Sequence, residues 1–377
     1  MHTGYVWNPL MAWHDTGTSA GLFKPSPLAG IQPGEHFEHP DTKRRLAELI
    51  ETSGLLWHLD RMDPLPIERE DLERVHDATY LDWLERTSAD GGGRVDGSSP
   101  FGQGSYQIAC LAAGSTASAM DAVLEGWVDN AYALTRPPGH HARRKGGLGF
   151  CLINNVAVAI ARSIARGDAE RVAVVDFDVH HGNGTQDIFY ADPNVLTISL
   201  HQDQLFPANS GHLHETGVGP GVGANLNVPL PPGSGRGAYL TAFDDVVLPA
   251  LHRFAPDVIV VAAGYDAGAY DPLGRQMLTS ATYREMTRKL LAAADELCDG
   301  HLVASHEGGY SPWAVPFHGL AVVEELAGTR TGVADPFARS FATAGQQDLQ
   351  PHQRTAIDKA ANLVANIPSP HAGHQPR

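Results

Sequence analysis

Five short apolar runs recur along the chain: NAYALT from Asn130, RVAVVDFD from Arg171, NVLTISLH from Asn194, DVIVVAAGYD from Asp257 and HLVASHEGG from His301. None alternates apolar with polar residues, so each reads as a strand buried on both faces. Helical patterns lie between several of them. SYQIACLAAGSTASAMDAVLEG runs to Gly126 and SATYREMTRKLLAAADELCDG to Gly300, and glycine is a common helix stop. Buried strands alternating with helices predict an α/β fold, an open and mainly parallel sheet with helices on both faces.

Two stretches read as long loops, ADGGGRVDGSSPFGQGS at 89–105 and the Gly- and Pro-rich segment 202–237. Loops of that length are commonly functional. Composition marks no boundary between domains, so a single catalytic domain over 1–366 and a polar C-terminal tail over 367–377 are expected.

The net charge is −16, from 27 Lys+Arg against 43 Asp+Glu. Binding to nucleic acid relies on neutralising phosphates, and this balance argues against it; it is compatible with a cationic substrate. Cys110, Cys151 and Cys298 are far apart. That spacing suits a reducing compartment and excludes a zinc cluster built from thiolates. The N-terminus lacks the pattern of a signal peptide, and no stretch comes near the ~18 apolar residues of a membrane span. A soluble, cytoplasmic protein with no membrane partner is expected.

The five runs end in RPPGHH, DFDVHHGNG, SLH, GYDAGAYDP and HEGGY. Parallel α/β sheets bind ligands beyond the carboxyl ends of their strands, so this convergence marks an active site. Strand alternation through DFDVHH puts Asp176, Asp178 and His180 on one side and Phe177, Val179 and His181 on the other. Asp178 and His180 can then grip one ion, with Asp266 as the natural third ligand. Two carboxylates, an imidazole and an open position suit a catalytic divalent ion, zinc being the commonest and Fe²⁺, Co²⁺ or Mn²⁺ also admissible. His140 and His141 read as a general base and an electrostatic partner set by Asp176, or alternatively as metal ligands or a surface pair. Tyr310, on its Gly308–Gly309 turn, reads as an oxyanion donor or as a packing residue.

Together, TRPPGHHA, GFCLINNVAVA, DFDVHHGNGTQDIFY, ISLH, GYDAGAYDPLG and EGGY resemble the zinc-dependent histone deacetylases. The likeness is to their class II-like and bacterial amidohydrolase-like branch, over roughly residues 38 to 328. The resemblance implies an arginase-like open sheet of eight parallel strands and one Zn²⁺ per chain on Asp178, His180 and Asp266. It makes His141 the general base and then acid, His140 its electrostatic partner linked to Asp176, and Tyr310 the residue that polarises the amide carbonyl. It places Gly149, Phe150 and Phe206 along an acyl-lysine tunnel. A structural K⁺ is implied at Asp176, Ser199 and Leu200, with the main chain of Asp178 and His180. Asn183 matches the class II form near His141. Leu273 takes the gatekeeper position, where an apolar residue favours an acyl-lysine peptide or another small acylated amine over a polyamine.

The implied activity is hydrolysis of an acyl-lysine amide by a histone deacetylase-like amidohydrolase, possible as a homo-oligomer. The alternatives are an acetylpolyamine deacetylase, a two-metal ureohydrolase and a non-catalytic acyl-binding module. The second metal of a ureohydrolase would need a carboxylate where this chain has Gly268.

Overall fold

All five runs are strands in the computed structural model, which describes residues 2–370. In chain order the strands of the main sheet are β1 (Thr3–Val6), β2 (Asp60–Met62), β3 (Asn130–Ala133), β4 (Val172–Asp176), β5 (Val195–Gln202), β6 (Asn225–Leu230), β7 (Val258–Ala263) and β8 (Leu302–His306). They pair in the order β2-β1-β3-β8-β7-β4-β5-β6, and every pairing is parallel. All eight carboxyl ends therefore lie along one edge.

The lack of alternation has a direct cause. Val172 and Val174 pack into one hydrophobic cluster and Ala173 and Val175 into another. Helices Ser105–Leu124 and Asn155–Arg166 cover the first face, and Asp41–Thr52, Ser280–Leu297 and Val315–Leu326 the second. By length and composition Ser105–Leu124 is apolar enough to cross a membrane, which corrects the expectation that no stretch comes near. Its apolar residues are interrupted by Gly114, Ser115, Thr116 and Ser118, and 72% of the window is buried inside the fold. It is a core helix.

The segment 202–237 is not wholly a loop, because it contains β6. That strand is polar, and its amides are satisfied sideways: Asn225 and Asn227 donate to Gln186 Oε1 at 2.8 and 2.9 Å. It is an edge strand, where Pro229 is tolerated. The 89–105 stretch holds a small hairpin, Gly92–Arg94 against Pro100–Gly102. At the other end of the chain, Ile367 is buried in the core and its carbonyl accepts from Arg253 at 2.7 Å. The packed chain thus runs past 366, and 371–377 of the expected tail lie outside the described residues.

Candidate active site

β4 stops at Asp176, so Asp178 and His180 reach the edge from a turn rather than from a continuing strand. Carboxylates tie that turn together. Asp176 Oδ1 accepts from the Asp178 N–H at 3.0 Å, and Asp178 Oδ1 accepts from the His180 N–H at 2.9 Å. Asp266, three residues beyond β7, accepts from the Val179 N–H through Oδ1 at 2.7 Å. Its Oδ2 lies 3.1 Å from His180 Nδ1, which is itself 3.0 Å from Asp178 Oδ1. Ligands bound at 2.0–2.2 Å to one tetrahedral ion sit about 3.3 Å apart, so the three side chains already have the spacing of a metal site. The cradle also requires glycine, since a Cβ on Gly308 would run into the Asp266 and Asp178 carboxylates.

The electrostatics agree. Burial, and then the Asp178 charge, push Asp266 up to about 6. Burial disfavours a charged His180, yet Asp266 and Asp178 hold it up at about 10. Negative charge is in excess here, and a divalent cation fits it.

The RPPGHH loop follows β3 and sets the two imidazoles side by side, with ring centroids 3.9 Å apart and planes tilted by 41°. His140 Nδ1 pairs with Asp176 Oδ2 at 2.9 Å, while His141 Nδ1 pairs with Asn183 Oδ1 at 2.7 Å. The partners drive the rings apart. Burial opposes a charge on His140, but Asp178 and Asp176 raise it to about 10. Burial holds His141 well below the ordinary imidazole value, and His140 and His180 add to that. The surroundings thus favour the charged form of His140 and the neutral form of His141. His181 faces elsewhere, bonded to Ser210 Oγ at 2.6 Å and Gln186 Oε1 at 3.0 Å.

A cavity of about 190 Å³ adjoins this centre, lined by Gly149, Phe150, Phe206 and Leu273 together with His141, His180 and Tyr310. Leu22, Ser98 and Leu205 also line it and carry no motif. The Phe150 and Tyr310 rings meet edge to face at 5.4 Å. Burial, and then Asp266 and Asp178, keep the Tyr310 phenol far above its ordinary value, so its hydroxyl holds its proton. Asp176 faces Ser199 across the β4–β5 ladder, and Leu200 follows in β5.

Several supporting residues were not singled out in the sequence, although Arg136, Asp271 and Glu307 lie within the quoted motifs. Asp271 accepts from the Tyr310 N–H at 2.7 Å and the Leu273 N–H at 2.9 Å, so one carboxylate aligns two parts of the tunnel. Asp96 and Ser99, from the 89–105 stretch, accept from the N–H groups of Gly149 at 2.8 Å and Phe150 at 2.7 Å. Glu307 Oε2 accepts from the N–H groups of Gly139 at 2.6 Å and His140 at 3.1 Å. Arg136 is fully buried, with Nε on Glu38 Oε1 at 2.8 Å and Nη1 on the His14 carbonyl at 2.7 Å, which anchors the His-pair loop to the N-terminal segment.

Comparison with known proteins gives the same picture. Residues 36–326 match the histone deacetylase domain. The chain is 47% identical over 375 residues to a histone deacetylase-like amidohydrolase of Pseudomonas aeruginosa, covering 97% of each. It is 40% identical over 296 residues to a probable deacetylase of Archaeoglobus fulgidus, covering 77% of this chain and 82% of that one. The crystal structure of the HDA15 HD domain superposes with a TM-score of 0.84 at 33% identity, covering 97% of this chain and 96% of that one. The chain belongs to the histone deacetylase family.

Proposed function

We propose that this protein hydrolyses the acyl amide of an N-acylated lysine side chain or a similar acylated primary amine, releasing a carboxylate and the free amine. The observation that carries the reading is the convergence of Asp178, His180 and Asp266 beside a neutral His141 at the floor of a narrow apolar tunnel. In this reading Asp178, His180 and Asp266 hold one Zn²⁺ per chain. When bound, such an ion supplies Lewis acidity at the acyl carbonyl and makes water more acidic.

The protein's own groups do the rest. With Asn183 Oδ1 as acceptor, His141 carries its proton on Nδ1 and leaves the Nε2 lone pair free. Nε2 takes the proton of the attacking water and later delivers it to the leaving nitrogen. His140 stays charged on Asp176 and favours the build-up of negative charge nearby. The protonated Tyr310 hydroxyl donates to the developing oxyanion. Phe150 and Phe206 sheathe the alkyl chain and exclude water. The same proposal assigns a structural K⁺ to Asp176, Ser199 and Leu200 with the main chain of Asp178 and His180, supported by the direct pairing of Asp176 with Ser199.

Zinc-loaded protein is expected to turn over an acetyl-lysine peptide well ahead of acetylputrescine, because Leu273 offers no charge to a polyamine. A preference for acetylputrescine would move the assignment to the polyamine reading. Failure on both, with binding retained, would leave an acyl-binding module.

A further inference from the structure

A second group of ligand-type side chains meets close to the active site. The His140 imidazole, the Cys151 thiol and the Glu307 carboxylate are all buried, and one ligand atom from each lies within 4.8 Å of the others. Three separate segments bring them together: the RPPGHH loop, the turn after Phe150, and the residue that follows β8. The Cys151 thiol donates to the Gly149 carbonyl at 3.4 Å and makes no bond to another side chain among the described residues. Glu307 Oε2 holds the loop N–H groups, but Oε1 has no hydrogen-bond partner among the described residues. A buried carboxylate oxygen without a donor is costly.

We propose that His140, Cys151 and Glu307 form a second, weaker metal site that takes a thiophilic divalent ion such as Zn²⁺ or Co²⁺, and that filling it inhibits the enzyme. One imidazole, one thiolate and one carboxylate are a zinc-type donor set. Binding is a proton exchange: the metal–sulfur bond forms as the S–H bond of Cys151 breaks, the metal–nitrogen bond forms as the His140 imidazolium gives up a proton, and both protons leave to solvent. Burial raises the Cys151 thiol well above its ordinary value, with Glu307 adding to it, and burial raises Glu307 to about 7. A cation between the two removes both penalties. The site is weaker than the one on Asp178 because the metal must first displace protons held by a buried thiol and a buried carboxyl. Inhibition follows because His140 cannot ligate this metal and still serve beside His141.

Binding here does not depend on the deacetylase reading; only the inhibition does. The test is titration of metal-free protein with Co²⁺. Asp178, His180 and Asp266 offer no sulfur, so the first equivalent gives weak visible bands only. The second is expected to add an intense thiolate-to-cobalt charge-transfer band in the near ultraviolet. That band should vanish in Cys151→Ser, which keeps the first equivalent and its activity, and should persist in Cys110→Ser and Cys298→Ser. Glu307→Gln should keep the band but need about tenfold more cobalt to reach it. Excess Zn²⁺ should inhibit Cys151→Ser only at about tenfold higher concentration than the native protein.

A second equivalent that binds without a sulfur band, or a band that survives Cys151→Ser, overturns the proposal. So does zinc inhibition unchanged in Cys151→Ser. Loss of turnover on every substrate alongside an intact band would refute the proposed function and leave the site standing.

Discussion

The turn that forms the tunnel wall is held under strain, and that makes Asp96 a sharp test of the site. Leu148 and Cys151 bridge across Gly149 and Phe150, which both have positive φ, +54° and +72°. Glycine accepts this at no cost, while a residue with a Cβ loses about 1–2 kcal/mol in the left-handed region. Two side-chain hydrogen bonds oppose the relaxation of Phe150. The bond from the Gly149 N–H to the Asp96 carboxylate is charge-assisted and contributes about 1.5–3 kcal/mol, and the bond from the Phe150 N–H to Ser99 Oγ about 0.5–1.5 kcal/mol. With both present the turn is pinned. Without Asp96, what Ser99 supplies no longer exceeds the strain.

Asp96→Ala should therefore free Phe150 to swing from its edge-to-face contact with Tyr310. In the proposed reading Phe150 flanks the alkyl chain rather than the reacting amide, so the loss belongs to binding. At about 1.4 kcal/mol per factor of ten, 1.5–3 kcal/mol raises KM for an acetyl-lysine peptide by about tenfold to 100-fold. The change in kcat should be within about threefold. Asp96→Asn keeps a carbonyl acceptor without the charge and should show an intermediate KM. The assay is steady-state kinetics with metal content measured on the same samples. An unchanged KM in Asp96→Ala, or a fall in kcat alone, refutes the argument.

Three further outcomes follow from the same geometry. Tyr310→Phe should lower turnover by about 10²-fold with metal content unchanged; near-normal turnover removes the hydroxyl from the reaction. Asn183→Asp puts a carboxylate on His141 Nδ1 and raises that ring's pKa, so the neutral base survives only at higher pH. The acid limb of the kcat/KM profile should move to higher pH, and an unmoved limb refutes the assignment. Burial opposes ionisation of Glu38, but Arg136 and Lys43 hold it down at about 2 against an ordinary 4.5. Its stabilisation is then present above about pH 4.5 and lost as pH falls toward 2. Glu38→Gln should cost about 3–5 kcal/mol in denaturant melts at neutral pH and flatten the acid side of the stability profile; equal melts refute it.

What was legible in the sequence is what is local. Five strands could be read because each is a continuous apolar run, and the ligand-type residues because each sits just past such a run. β1 (TGYV) and β2 (DRM) are short and broken by a glycine or by charged residues, so neither forms an apolar run, and β6 hides behind two asparagines and a proline. Alternation grouped Asp178 with His180 on the assumption of a strand through DFDVH. The chain instead leaves β4 at Asp176, and main-chain bonds to carboxylates bring the pair together. Asp96, Ser99, Asp271 and Glu307 were not legible as site residues. Each acts by accepting N–H groups from a segment 39 to 168 residues away, and such pairing leaves no trace in spacing.

The carboxylates at this edge differ in what balances them, and the difference locates the missing cation. Glu38 is wholly buried, yet it has Arg136 at 2.8 Å and Lys43 at 3.9 Å and stays ionised. Asp176 has His140. Asp178 faces both His140, at 3.7 Å, and His180, which hold its carboxyl below the ordinary range, whereas Asp266 has only the shared His180 and is pushed up to about 6. Glu307 has no Lys or Arg partner among the described residues and rises to about 7. A protein interior does not hold unbalanced carboxylates at no cost; they lose their protons fully only when a cation arrives. Fixed cations therefore sit where the fold needs rigidity, at the anchor of the His-pair loop. The uncompensated charge sits where a metal must be able to enter and leave. The same reasoning ranks the two metal positions, because Asp178 and Asp266 present a more negative set than the Cys151–Glu307 pair, whose protons the metal must first displace.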